Sequence, residues 1–373
     1  MPFCKQACSY CNFYFTTRRQ EQGDFVAALL DEIESYEGTK YAAEPVQTLY
    51  FGGGTPSLLT LSQIEAIISR VRAVFELDLE EVTFEMNPDD VNAEFLSGLK
   101  DCGITRASMG IQSFQPELLQ FMHRVHSRKE ALKSLELLGQ AGFNSFTVDL
   151  IYGNPGQSTR QLLDDAELFM QYKPPHISAY SLTVEPNTRL GKQVELNRVI
   201  PAEDSEVADH FNALNHFLNQ HGIYRYEVSN YSKAGKEAVH NSNYWKHENY
   251  LGLGPAAHSF WWQDRDKISS GWKNSAERWH NEESLRNYPA KTEPEQLNLY
   301  QLAEERLMMG LRTREGIKIQ ELNSRYVYEL NDRQVQYLKQ KEEEDKVIFD
   351  SSIQLTEAGI IIADAIILDL LTL

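Results

Sequence analysis

The first eleven residues carry the densest chemistry of the chain: Met1-Pro2-Phe3-Cys4-Lys5-Gln6-Ala7-Cys8-Ser9-Tyr10-Cys11. Cys4, Cys8 and Cys11 stand at a C-x3-C-x2-C spacing. Thiolates are soft ligands that suit iron–sulfur clusters, and cluster-binding cysteines are often packed in one short loop. Three thiolates on a cubane [4Fe–4S] cluster leave one iron open to another ligand. Two other uses of these cysteines fit less well. A disulfide between two of them strands the third and needs an oxidising compartment. A structural zinc site wants a fourth Cys or His close by, and the next histidine is His123.

A second motif lies further on. Residues 48–51 (TLYF) have strand character and run into Gly52-Gly53-Gly54-Thr55-Pro56, and residues 62–74 read as a helix. Glycines after a strand let backbone approach a ligand closely, because no Cβ intervenes. The plain alternative is a tight turn. The Gly and Lys spacing of dinucleotide and phosphate loops is absent.

The elements that must hold these motifs alternate. Helical spacing is seen over 22–36, 93–100, 117–122, 129–141 and 159–172. Strand character is seen over 82–86, 106–111, 146–151 and 176–182. Strand–helix alternation argues a parallel sheet with right-handed crossovers. A closed eight-stranded barrel needs about 250 residues, more than this block offers, so an open, partial barrel is expected. Glu85, Gln112 and Asp149 fall near the C-terminal ends of strands, with Arg124 a little beyond, and that edge carries the site in parallel barrels. Taken singly, each could be a solvated or structural polar group. In such a barrel a cluster loop follows a strand, and there is no room for one ahead of Cys4. Either that strand is not in this sequence or the fold manages without it. Phe13 and Phe15, after the last cysteine, read as core residues.

The chain has 373 residues, 42% of them hydrophobic and 24% charged, with a formal net charge of -18. This is enough for one large domain and a smaller one. The acidity argues against non-specific nucleic-acid binding and anionic membranes. No apolar run approaches membrane-spanning length and the N-terminus does not read as a signal peptide. With three cysteines clustered and only Cys102 apart, a reducing cytoplasm is expected.

In the later half, residues 204–221 carry a helical stripe and 226–231 read as a strand. His240-Asn241-Ser242-Asn243-Tyr244-Trp245 follows. Imidazole is a common axial ligand of heme iron, and flanking aromatics suit a flat macrocycle. The alternative is a histidine hydrogen-bonded within a polar turn. His258, after a Gly-rich stretch, is a weaker candidate. Trp261, Trp262, Trp272 and Trp279 read as packing between domains. Residues 291–294 read as a linker. Helices are expected over 295–309, 318–326 and 332–341, with a hairpin of 347–349 and 353–355 and a final helix, 357–371, capped by Thr356. Helices followed by a small hairpin have winged-helix character, and the acidic composition points to an interaction or lid domain.

The stretches PFCKQACSYCNF, YFGGGTPS, FEMNP, SMGIQSF, HRVHS, VDLIYGNPGQ and HNSNYW together resemble the radical S-adenosylmethionine (SAM) superfamily. Within it the chain resembles the oxygen-independent coproporphyrinogen III oxidase family (HemN), most closely its heme chaperone branch (HemW). The resemblance implies a partial (β/α)6 TIM-like barrel over 1–190 and a closing extension over 191–290. A smaller, mostly helical domain over 295–373 would follow. It implies Cys4, Cys8 and Cys11 as [4Fe–4S] ligands. Tyr10, Gly53, Gly54, Thr55, Glu85, Gln112, Arg124, Asp149 and Ala179 would meet SAM, and His240 would meet heme. The family's first strand, with a tyrosine that contacts SAM, has no counterpart here. The oxidases also carry a further Cys where Phe13 stands, and an N-terminal extension. Both differences favour a heme chaperone, passing heme to an acceptor protein that could lie at the membrane. The other reading is an oxidoreductase that acts on a tetrapyrrole.

Overall fold

The computed structural model describes residues 1–263 and 275–373. Trp272 lies outside the described residues. Helix α1 (Gln22–Glu34) buries Phe25, Val26, Leu29 and Ile33, the stripe expected from its helical spacing. There follow β1 (Val46–Phe51), α2 (Leu61–Val74), β2 (Leu77–Met86), α3 (Ala93–Asp101) and β3 (Arg106–Gln112). Next come α4 (Pro116–Phe121), α5 (Arg128–Ala141), β4 (Ser145–Tyr152), α6 (Thr159–Gln171) and β5 (His176–Ser181). Helices α2, α5 and α6 each start on a capping box, Thr60 with Gln63, Ser127 with Glu130 and Ser158 with Gln161. Each box satisfies two backbone N–H groups that the helix leaves open.

Strands β1 to β5 are parallel neighbours in sequence order. Helices α7 (Arg189–Glu195) and α8 (Asp204–Gln220) lead to β6 (Tyr224–Arg225) and β7 (Asn230–Ser232). The single strand expected over 226–231 is thus a tight antiparallel pair, and β7 takes the sixth place in the sheet, antiparallel to β5. The open, partial barrel is present, with β1 and β6 as its edges.

Strands in a parallel sheet are usually apolar on both faces. Here one face is polar. Glu81, Thr83 and Glu85 alternate with buried Val82, Phe84 and Met86 along β2. Arg106 on β3 donates to Thr83 Oγ1 at 3.4 Å and to Thr147 Oγ1 on β4, and Glu81 lies 3.9 Å from it. Thr147 Oγ1 is 3.1 Å from His176 Nδ1, and His176 Nε2 is 2.8 Å from the Tyr226 hydroxyl. A hydrogen-bonded chain therefore runs through the interior, as buried polar groups require.

Helix α9 (Val239–Trp245) covers the HNSNYW stretch, for which a polar turn was one alternative, and it packs on β1 and β2. Strands β8 (His258–Trp262), β9 (Ala276–His280) and β10 (Glu295–Leu297) form an antiparallel sheet in the order β10-β9-β8. The helix expected from 295 begins later, as α10 (Leu299–Gly310), because Asn298 caps it together with Gln301. Trp261 and Trp279 both pack on Tyr41, with ring centroids at 5.2 Å, and Trp262 packs against Tyr326. They join segments far apart in the chain.

The last region holds β11 (Ile317–Lys318), α11 (Ile319–Arg325), α12 (Asp332–Glu343), β12 (Val347–Phe349) and β13 (Ser352–Leu355). Its sheet has the order β11-β13-β12. Thr356 accepts from Gly359 N as a cap, but the final helix is broken into α13 (Glu357–Ile360) and α14 (Ala363–Thr372). Gly359 is pressed so closely on Lys346 O that a Cβ would sit at 2.0 Å. Among the described residues no helix is long and apolar enough to cross a membrane.

Candidate functional site at the barrel mouth

The cysteine loop is held by backbone. Cys4 N donates to Thr16 O at 3.0 Å, Ser9 N to Met122 O at 3.1 Å, and Leu190 N to Ser9 O at 2.7 Å. Lys5 reaches Asp89 at 2.7 Å, and Gln6 Nε2 donates to His123 O at 3.0 Å. The loop is thus clamped between the ends of β2 and α4 and the start of α7. All three thiols are free and partly exposed. Burial pushes the Cys4 and Cys11 thiols up. Arg124 works against that: its Nη1 lies 3.4 Å from Cys8 Sγ, and Thr55 Oγ1 lies 3.6 Å from Cys4 Sγ. Among the described residues no three His, Cys, Asp or Glu side chains converge tightly enough to hold one metal ion. A cubane offers separate iron corners, so each thiolate takes its own iron, and this donor set fits it.

Gly53, at a φ of +107°, needs glycine. A Cβ there would meet Met1 O at 2.9 Å, and one on Gly54 would meet Phe3 O at 2.7 Å. The glycine loop therefore wraps the backbone of residues 1–3. Gly53 N also donates to Glu85 Oε2 at 3.2 Å, and the Tyr50 hydroxyl donates to Glu85 Oε1 at 2.5 Å.

Three more of the expected residues gather here. Gln112 has a φ of 71°, rare for a residue with a side chain, and its buried Oε1 has no hydrogen-bond partner among the described residues. Arg124 Nη2 is held by Asn87 Oδ1 at 2.6 Å and Gly110 O at 2.7 Å, while its Nε has no hydrogen-bond partner among the described residues. Burial, then the like charge of Glu85, pushes Asp149 up to about 7. Orphaned buried polar atoms and desolvated carboxylates mark a ligand site. Arg124 offers a cation, and Asp149 and Glu85 with the glycine loop offer acceptors, a set whose chemistry suits an anionic carboxylate, ribose hydroxyls and an amine, the groups that SAM carries. Tyr10 packs in a small apolar cluster with Leu118, Leu119, Met122 and Ile151 beneath the loop.

Ala179 does not join them through its side chain. Its neighbours Ser178 and Tyr180 share the polar face with Asp149, since Asp149 pairs with Ser178 and adjacent residues of a strand point oppositely. Ala179 is buried and its N–H is taken by Ser229 O at 2.7 Å. Phe13, expected in the core, is 74% exposed on the loop.

His240 sits apart from the cysteines. Its ring stacks on Tyr50, with centroids at 4.9 Å and planes at 24°. Nδ1 is 2.8 Å from Thr48 Oγ1 and Nε2 is 2.9 Å from the Tyr244 hydroxyl. Burial pushes it down to about 4, so the ring is neutral. Glu81 accepts from Val239 N and His240 N, at 3.0 and 3.1 Å, at the start of α9. His258 lies on the separate β8–β10 sheet, stacked on His280 at 5.0 Å.

The sequence reading missed Thr48, Tyr50, Glu81, Asn87 and Arg106. For Thr48, Tyr50 and Glu81 a signal was present in the alternation T-x-Y and E-x-T-x-E, of which only 48–51 and 82–86 read as strand; Asn87 and Arg106 carry no such local signal.

Comparison with known proteins bears on the family and the fold. The model of the Radical SAM superfamily matches residues 1–169, and that of the HemN C-terminal domain matches 297–362. The solved coproporphyrinogen III oxidase (HemN) of Escherichia coli, described as a radical SAM enzyme, superposes with a TM-score of 0.82. It covers all of this chain and 88% of its own, at 20% identity, and so speaks for the fold. The heme chaperone HemW of Bacillus subtilis (strain 168) is 35% identical over 265 residues, 70% of this chain and 69% of that protein. The heme chaperone HemW of Lactococcus lactis subsp. lactis (strain IL1403) is 33% identical over 336 residues, 87% of this chain and 83% of that protein. With likeness of that extent across both the barrel and the closing regions, the chain belongs to the HemW family of radical SAM proteins.

Proposed function

We propose that the protein is a heme chaperone, which binds heme and passes it to an acceptor protein. The observation that carries this is the 33% identity to a heme chaperone over 87% of the chain. Phe13 supports it, an exposed apolar side chain where the oxidases place a further cysteine. Cys4, Cys8 and Cys11 hold the [4Fe–4S] cluster. Tyr10, Gly53, Gly54, Thr55, Glu85, Gln112, Arg124 and Asp149 frame SAM, with Ala179 on the neighbouring strand β5. When bound, the cluster supplies one open iron and a one-electron reductant. The protein's own part is electrostatic. Arg124 sets its Nη1 against Cys8 Sγ, and its Nε is buried with no hydrogen-bond partner among the described residues. Asp149 and Glu85 are half-buried and pushed up by desolvation, so each gains by meeting a hydroxyl or a cation.

His240 is the candidate iron ligand. Its Nε2 is engaged only by Tyr244, itself part-exposed, so turning that one side chain frees the nitrogen. We divide the molecule into a barrel over 1–190, a closing extension over 191–290 and a terminal domain over 295–373, with heme exchange in the cytoplasm and an acceptor at the membrane.

The test is anaerobic reconstitution with iron and sulfide, followed by heme titration by absorbance on wild type and His240→Ala. Stoichiometric binding, weakened about 10-fold or more by the substitution, is expected. No heme binding, with SAM cleavage and loss of carboxylates from coproporphyrinogen III, would instead make the protein an oxidoreductase. The desolvated Glu85 and Asp149 pair at the barrel mouth is what that second reading has in its favour.

A further inference from the structure

Two sites described above share one side chain. Tyr50 stands on β1 with its hydroxyl on Glu85, at the mouth, and its ring on His240, on α9. We infer that Tyr50 is a positioning residue for SAM: it fixes the Glu85 carboxylate, and is itself fixed by His240, so that α9 supports the SAM site from beneath.

The geometry closes into a loop. Glu81 on β2 holds the start of α9 through Val239 N and His240 N. Thr48 holds the imidazole at Nδ1 and Tyr244 holds it at Nε2. The imidazole covers one face of the Tyr50 ring. The Tyr50 hydroxyl and Gly53 N then donate to the two oxygens of Glu85, four residues beyond Glu81 on the same strand. Thr48 and Tyr50 share a face of β1, and Glu81 and Glu85 share a face of β2, by the period of two. Thr48 also pairs with Glu81 across the two strands.

Packing alone does not require this arrangement. A phenylalanine would stack on His240 equally well and leave Glu85 with a single donor. The hydroxyl matters because it donates to a carboxylate out of water. Burial pushes Glu85 up, and the Tyr50 hydroxyl, followed by Gly53 N, draws it back toward the charged form. A charged, fixed carboxylate is what the ammonium and sulfonium charges of SAM need. The inference rests on the reading that SAM binds at this mouth.

The experiment uses the full chain with its cluster reconstituted, and follows the change that SAM causes in the electron paramagnetic resonance of the reduced cluster. Tyr50→Phe should weaken SAM binding about 10-fold, the loss of a hydrogen bond to a charged group. In a Glu85→Gln background the same change should have less than about a twofold effect, because Tyr50 acts through that charge. His240→Ala should weaken SAM binding about threefold in wild type and no further in Tyr50→Phe. A structural role alone gives additive losses and a falling iron content in Tyr50→Phe, and either result overturns the inference. Unchanged SAM affinity in Tyr50→Phe overturns it while leaving the SAM reading intact. A wild-type cluster that does not respond to SAM removes both.

Discussion

The barrel mouth and the helix beneath it are built on opposite plans. At the mouth, Gln112 Oε1 and Arg124 Nε are buried without partners, and three thiols stand free. Beneath it, both nitrogens of His240 are bonded, its ring is stacked, and the first N–H groups of α9 are held by Glu81. Unsatisfied buried groups cost free energy that a ligand returns. The mouth is therefore built to be completed by a ligand, whereas α9 is complete already and must give up a bond to take one. On the proposed reading, heme iron at His240 would compete with Tyr244, whereas SAM would meet polar atoms that no side chain occupies among the described residues.

The strongest test of that contrast is Cys8→Ala. Its removal should abolish stable [4Fe–4S] loading, seen as loss of the cluster absorbance and of bound iron after reconstitution. A variant that retains a full complement of iron would show that the mouth does not depend on its thiols.

Arg106→Ala comes next. It cuts the interior chain and leaves Glu81 buried beside an empty space. A loss of about 3–5 kcal/mol is expected from breaking a buried ion pair, read by chemical unfolding. A loss under about 1 kcal/mol would mean that α9 alone satisfies Glu81.

Asp149→Asn separates ligand binding from stability. The folded carboxyl lies above its ordinary value, so the folded state binds the proton more tightly. Native Asp149 is therefore tolerated below about pH 4 and grows destabilising as pH rises toward 7. The asparagine should leave stability near pH 4 unchanged and raise it at pH 8, by about 4 kcal/mol at most, while SAM affinity falls. Equal effects at both pH values would return Asp149 to a solvated role.

The smallest expected effect falls on Tyr244→Phe. It removes one hydrogen bond, at a cost of about 1 kcal/mol. If Nε2 is the iron ligand, heme affinity should rise about fivefold, because the competing bond is gone. A fall in heme affinity would place the iron elsewhere.

Much of this was legible in the chain. The cysteine spacing, the glycine loop and the polar residues ending β2, β3 and β4 are local in sequence, and they lie together because parallel strands end at one edge. The capping boxes of α2, α5 and α6 are local as well. What was not legible depends on pairs far apart. Thr48 and Tyr50 read as apolar-strand residues until α9, about 190 residues later, is laid across them. For residues 240–245 a polar turn was the alternative to a heme ligand, and no helix was expected; Glu81, 158 residues from Val239, accepts from the first N–H groups of the helix that forms there. Phe13 read as core by its type, but the loop that carries it is tied down on both sides and leaves that ring outside.

Helix α9 is fastened to the barrel by side chains: Glu81, Thr48, the Tyr226 hydroxyl that accepts from Ala238 N, and Arg306 on Trp245 O. The strands are fastened to each other by backbone. The two kinds of fastening part at different depths of fluctuation. Helix α9 can lift from β1 without one inter-strand bond being broken, so its amides should exchange with solvent sooner than those of β2 to β4. His240 therefore rides on a segment whose hold on β1 and β2 is made by side chains alone, and its environment should respond to substitutions that leave the sheet intact.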